Sequence, residues 1–94
     1  MVRLLKYNGD MALYEIFVLE VERRKDTGTI YIGHKFSAYD LKDLLEESNY
    51  GLNNIHQSYF SSTVNLPDYE LLLTCDNYGD FLTTLKDHFP EEFI

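Results

Sequence analysis

The sequence predicts an α+β fold in which a mostly antiparallel sheet of four or five strands carries two helices on one face. Two strand-like apolar segments, 11–22 and 29–35, flank the polar stretch 24–28 and predict a β-hairpin. Two further segments, about 38–48 and 78–89, place apolar residues at helical spacing and predict the helices. A chain of 94 residues has room for one compact domain, and we expect a single domain over 1–94.

The strands follow from alternation and turn residues. A first strand is predicted at Val2–Tyr7, before the turn dipeptide Asn8–Gly9. The strand at 11–22 is apolar on both faces between Ile16 and Leu19, which is typical of a central strand. In the returning strand, 29–35, successive side chains again point to alternate faces.

The first helix is predicted to begin with Ser37 as its N-cap and Asp40 at the third helical position. It is predicted to run to Ser48 and to fade at 49–51, where Gly51 can supply the C-terminal cap. The segment 52–66 is the least regular part of the chain, although a short strand is expected at 59–64.

The last third of the chain is predicted to contain a strand and the second helix. Residues 69–75 are predicted to form a buried strand, and the alternative is a helix opening at Pro67. The second helix is expected to begin after the N-cap Asn77 and to stop before Pro90.

The net charge of −8 is concentrated after the hairpin. Residues 1–35 carry six basic and five acidic residues, whereas residues 36–94 carry two basic and eleven acidic ones. Direct binding to nucleic acid or to an anionic membrane is therefore not expected, because both need exposed cations. The imbalance favours a basic protein partner, in particular a nucleic-acid-binding one. The alternative is that the charge only keeps the protein soluble.

Other sequence features limit the cellular context and the chemistry. No apolar segment has the length of a membrane-spanning helix or of a signal-peptide core, and the lone Cys75 cannot form an intramolecular disulfide. These features predict a cytoplasmic protein. No phosphate-binding loop or metal-ligand spacing is present among the glycines and histidines, so we expect neither a cofactor nor a metal site.

One tripeptide has a catalytic pattern. Asp26-Thr27-Gly28 resembles the Asp-Thr-Gly motif of retroviral-type aspartic proteases, which implies a dimeric hydrolase with two paired aspartates. Here the cationic residues 23–25 come directly before it, and not an apolar strand, so a hairpin turn is the preferred interpretation. We therefore expect a non-enzymatic protein and keep a small hydrolase using Asp26 as a remote alternative.

The candidate binding residues are carboxylates and tyrosines on or beside the helices. At 100° and 1.5 Å per residue, Asp40, Asp43 and Glu47 fall on one helical stripe. Exposed tyrosine beside carboxylates is typical of protein interfaces. The predicted partner-binding residues are Tyr39, Asp40, Asp43, Glu46, Glu47, Tyr50, Asp76 and Asp80.

In its general character the chain resembles the small acidic inhibitors, such as anti-CRISPR and anti-restriction proteins, that viruses and mobile elements direct against host nucleic-acid enzymes. It shares with them small size, acidity, a single cysteine and the lack of a catalytic motif. The resemblance implies a protein that mimics nucleic acid and blocks a phosphate-binding groove. The alternative is a self-associating structural or accessory subunit that forms a homo-oligomer through a sheet edge or its aromatic residues.

Overall fold

The computed structural model describes residues 1–9, 11, 13–25, 28–54, 59–64 and 66–94, with the backbone alone at 24, 25, 28, 59–64 and 66. Five strands and two α-helices follow one another as β1 (Val2–Tyr7), β2 (Leu13–Lys25), β3 (Gly28–Ala38), α1 (Leu41–Leu52), β4 (Tyr59–Val64), β5 (Tyr69–Cys75) and α2 (Tyr78–His88). Short 3-10 helices precede β5 at Leu66–Asp68 and follow α2 at Pro90–Phe93.

All neighbouring strands pair antiparallel in the order β4-β3-β2-β1-β5. The predicted α+β class is therefore confirmed, and β2 is the central strand. The helix alternative for the segment after Pro67 is wrong, because Tyr69–Cys75 pairs with β1 along its whole length.

Both helices pack on one face of the sheet, which we call the helix face. Val2 and Leu4 of β1 and Ile16 of β2 are buried there against Leu44 of α1 and Phe81 of α2. Burying such side chains contributes roughly 2 kcal/mol each, so this face holds the main core. The apolar stripes of both amphipathic helices are directed into it.

The long hairpin of β2 and β3 bends in its middle. Glu20 is an extra residue on β2, because Leu19 pairs with Gly33 and Val21 with Ile32. Such a bulge bends a strand and increases its twist. Gly33 fits the bend because a β-carbon there would lie 2.1 Å from the backbone oxygen of Val18.

The bend folds the outer half of the hairpin back across the sheet. Val64 pairs with Thr29 near the hairpin tip, whereas Tyr69 pairs with Tyr7 at the opposite end of the sheet. On β2, Arg24 is the partner of Thr29 and Leu13 is the partner of Tyr7. In a straight sheet, the eleven residue steps from Leu13 to Arg24 would cover about 35 Å. The five peptide steps from Val64 to Tyr69 reach at most about 18 Å, so the sheet must curl.

A second, smaller core lies inside the curl, on the face opposite the helices. Leu5, Phe17 and Tyr31 are almost completely buried there, and the rings of Phe17 and Tyr31 meet edge to face at 5.0 Å. Tyr31 and Lys35 lie on this face, because side chains along β3 alternate between the two faces and Lys35 pairs with Phe17. The burial of Tyr31 follows only from the bend.

Two ion pairs border this second core. Arg3 Nη2 lies 2.8 Å from Glu22 Oε2, and Lys35 Nζ lies 3.7 Å from Oε2 of the buried Glu15. Burial, the charge of Glu15 and a hydrogen bond with its carboxylate raise the pKa of Tyr69 to about 12. Glu15 therefore has cationic and hydrogen-bonding neighbours that offset the cost of burying a carboxylate.

The predicted start of the first helix is wrong by three residues, and its end by four. Ser37 is not the N-cap, because β3 continues to Ala38, which pairs with Tyr14 of β2. The N-cap is Asp40, and Gly51 lies inside the helix, which is capped by Asn53. Hydrogen bonding to β2 extends β3 past Ser37, although serine is also a good N-cap residue.

Residues 69–75 form a strand with the predicted bounds, but the prediction that this strand is buried is wrong. β5 is an edge strand, and Glu70, Leu71 and Thr74 are exposed. Cys75, at the end of β5, is partly buried beside the main core. The second helix was predicted one residue too long, and its N-cap Asn77 is confirmed.

Candidate partner-binding surface

The acidic residues of α1 are held in place by its N-terminal cap. Oδ1 of Asp40 accepts a hydrogen bond of 2.8 Å from the backbone N–H of Asp43. The buried stripe of Leu41, Leu44 and Ser48 then turns Asp43 and Glu47 to solvent. Core packing on one side of the helix thus fixes which carboxylates lie on the other.

The α1 carboxylates are close enough to interact. A hydrogen bond with Asp40 and the like charge of that residue raise the pKa of Asp43, and Glu46 and Glu47 add to the repulsion. A cation bound to these side chains would relieve this repulsion. The negative charge predicted on this helix is therefore gathered and not scattered.

The first residue of α2, Tyr78, contacts the last turns of α1. Oγ of the buried Ser48 lies 2.6 Å from the hydroxyl oxygen of Tyr78, which donates a hydrogen bond of 2.7 Å to Oδ1 of Asn49. Burial raises the pKa of Tyr78, while the Ser48 contact lowers it. This contact, which the sequence analysis did not identify, joins the first turn of α2 to α1.

We call residues 39–54 and 76–94 together the helix layer. Only two lysines, Lys42 and Lys86, lie in it. Its nine acidic side chains are all exposed: Asp40, Asp43, Glu46, Glu47, Asp76, Asp80, Asp87, Glu91 and Glu92.

Among the side chains that the structure describes, no basic residue of the opening segment forms an ion pair with the helix layer. Where the structure describes both partners, the ion pairs are Arg3–Glu22 and Lys35–Glu15, which join residues from the first 35 positions and lie on the opposite face. The helix layer thus keeps its excess of negative charge.

Two tyrosines flank the α1 carboxylates. Tyr39, just before the cap, is 63% exposed, and Tyr50, in the last turns of the helix, is 72% exposed. An exposed tyrosine offers a rigid aromatic surface and a hydroxyl group at low entropic cost to a partner. All eight predicted binding residues are exposed, and their role in binding stays a prediction.

Only some of the candidate metal-ligating and catalytic residues lie in the part of the chain that the structure describes. No three His, Cys, Asp or Glu side chains there are placed to hold a metal ion. The remote alternative based on Asp26 lies outside the described residues, as does His56. His88 has its Nδ1 3.0 Å from the backbone oxygen of Thr84, in its own helix.

The chain was compared with protein families, curated proteins and solved structures. No protein-family model matches the chain, and the searches of curated proteins and of solved structures found no significant match. Among the described residues, no helix is long and apolar enough to cross a bilayer.

The cap and the charge of Asp40 are separable by mutation. Asp40→Ala should lower the free energy of unfolding by about 1 kcal/mol, because the backbone N–H of Asp43 loses its partner. Asp40→Asn keeps an oxygen acceptor while removing the charge, and should cost less than half as much. Thermal and urea unfolding followed by circular dichroism measure both values. Equal losses for the two variants would show that the charge stabilises the helix and the cap does not.

Proposed function

We propose that the protein is a small non-enzymatic binding protein that docks its helix layer on a basic partner. The observation that carries the proposal is the exposure of all nine carboxylates of the helix layer, which has only two lysines. Charge of one sign on a rigid surface steers a partner of opposite sign and selects against acidic ones.

The carboxylate row on α1 favours a partner that normally binds nucleic acid. The rise of an α-helix separates Asp43 from Glu47 by about 6 Å along the axis, and the N-cap Asp40 lies just before the helix. Successive phosphates on one strand of B-DNA are about 3.4 Å apart along its axis and farther through space. The row is therefore on the scale of a phosphate backbone, so the helix layer would occupy a groove lined with Lys and Arg and block it.

The proposal predicts a charge-dependent interaction. Wild-type protein should retain basic proteins from a lysate at low salt, and the best-retained one is then titrated as a pure protein by calorimetry. Combining Asp43→Asn, Glu46→Gln and Glu47→Gln should weaken its binding by about tenfold, which corresponds to about 1.4 kcal/mol. Raising the salt from about 0.05 M to 0.5 M should weaken the wild-type complex by at least as much, because screening shortens the range of the attraction.

The matched control variant removes a positive charge instead of negative ones, so its effect on binding should be opposite. Lys42→Gln removes one of the two lysines of the helix layer and should strengthen binding. Circular dichroism checks that the variants remain folded. Unchanged affinity in the triple variant, or affinity independent of salt, would contradict the proposal. The self-association alternative would be favoured if sedimentation showed a stable homo-oligomer and no partner were retained from the lysate.

A further inference from the structure

We propose that the outer edge of β5 pairs with an extended segment of a partner protein in which basic and apolar side chains alternate. This edge is separate from the carboxylates of α1, and the proposal does not rest on the helix layer's function. It would add a second mode of binding, in which backbone hydrogen bonds supply the affinity and side chains the specificity.

The first observation is an open row of backbone groups. β5 is the last strand of the sheet and pairs on one side only, with β1. Within the described parts of the chain, no other backbone group bonds to residues 70–75 from the outer side. Such an edge is a template for one more strand.

The second observation is apolar surface beside this edge. Leu71 pairs with the buried Leu5 of β1, yet it is 52% exposed because β5 is the edge strand of the described sheet. The next pair along the same face is Tyr7 and Tyr69, whose ring centroids are 5.4 Å apart. An added strand would cover Leu71 and the edge of this aromatic pair.

The third observation is charge, which selects the occupant. The stretch 66–76 has three acidic residues and no basic one. Glu70 and Asp76 are exposed, and Lys6, opposite Glu70 on β1, directs its Nζ to the Tyr14 ring at 5.7 Å. Antiparallel pairing of β5 with a second copy would bring these like charges together, so a basic segment of another protein fits better.

The order of the side chains sets the pattern of that segment. Glu70 and Leu71 are consecutive in β5 and point to opposite faces of the sheet. Residues facing each other across two strands share a face, so a basic residue would lie opposite Glu70 and an apolar one opposite Leu71. Basic and apolar residues in alternation satisfy both positions.

The probe is a synthetic peptide of alternating lysine and valine, about seven residues long to match β5. Amide chemical shifts of the full chain are followed by NMR during titration. We expect the shifts to concentrate in β5 and β1. A peptide of the same sequence, N-methylated at alternate amides, keeps the side chains but loses ladder donors, and should bind at least about tenfold more weakly.

Protein variants test the same edge. Leu71→Lys places a like charge against the peptide and should weaken its binding by about tenfold. If that variant fails to fold, Glu70→Lys at an exposed position replaces it. Thr83→Lys, at an exposed position on α2, adds the same charge away from the edge and should have a smaller effect.

Several results would overturn the proposal: shifts confined to α1 and α2, equal binding of the N-methylated peptide, or no binding of the lysine-valine peptide. The triple variant of Asp43, Glu46 and Glu47 should still bind the peptide at β5. Failure of the helix-layer proposal and failure of the β5 proposal are therefore distinguishable.

Discussion

Replacing Gly33 with alanine should lower the free energy of unfolding by about 3 kcal/mol, because the new methyl group has no space. An ideal β-carbon at Gly33 would lie 2.1 Å from the backbone oxygen of Val18, and φ there is +157°. The obstacle is backbone in the paired strand, so it cannot rotate away as a side chain would. Relief would require opening the bend that folds the hairpin over Phe17 and Tyr31.

The measurement is urea unfolding followed by circular dichroism. Gly79→Ala is the matched control, because the nearest atom to its β-carbon is Asn77 Oδ1 at an ordinary 3.4 Å. Gly79 lies in α2, where alanine is the better helix former by about 1 kcal/mol, so this variant should be neutral or more stable. A Gly33→Ala protein as stable as the control would mean that the bend tolerates a side chain.

Phe81→Ala should lower the free energy of unfolding by about 4 kcal/mol, the middle of the range for truncating a buried aromatic side chain. Phe81 has no exposed surface and lies in the main core with Leu4, Leu44 and Leu85. A loss of this size is a large fraction of the stability of a domain this small. The variant should unfold at a much lower urea concentration.

Leu82, the next residue, provides the comparison. It is only partly buried beside the same core, so Leu82→Ala should cost roughly half as much or less. Both variants keep the helical propensity of α2 high, because alanine is the best helix former. If Leu82→Ala were the more damaging of the two, α2 would not present Phe81 to the sheet as described.

The strands were predictable where local alternation and turn residues agree. The bounds of β1, β4 and β5 were predicted as observed, and Asn77 was identified as the cap of α2. The start of α1 was not predictable, because both Ser37 and Asp40 have the chemistry of an N-cap. Pairing of Ala38 with Tyr14 settled that choice, and such pairing depends on residues distant in sequence.

In the candidate surface, too, some features follow from local sequence patterns and others from contacts between distant residues. Helical periodicity alone placed Asp43 and Glu47 opposite the leucine stripe of α1, and both are exposed. The contact between Ser48 of α1 and Tyr78 of α2, by contrast, joins two residues that are thirty positions apart, and no local pattern indicates it. The pKa of Asp43 follows from neighbours on its own helix, which a sequence pattern can identify.

By itself, the sequence determined the α+β class, the central position of β2 and the excess of negative charge after the hairpin. These depend on composition and on periods of two or 3.6 residues, which are local properties of a chain. Only the tertiary structure decided that Gly33 and Glu20 bend the hairpin, that Tyr31 becomes buried and that Leu71 lies at an open edge. Each of these depends on which strands become neighbours, and strand order is set by contacts between residues far apart in sequence.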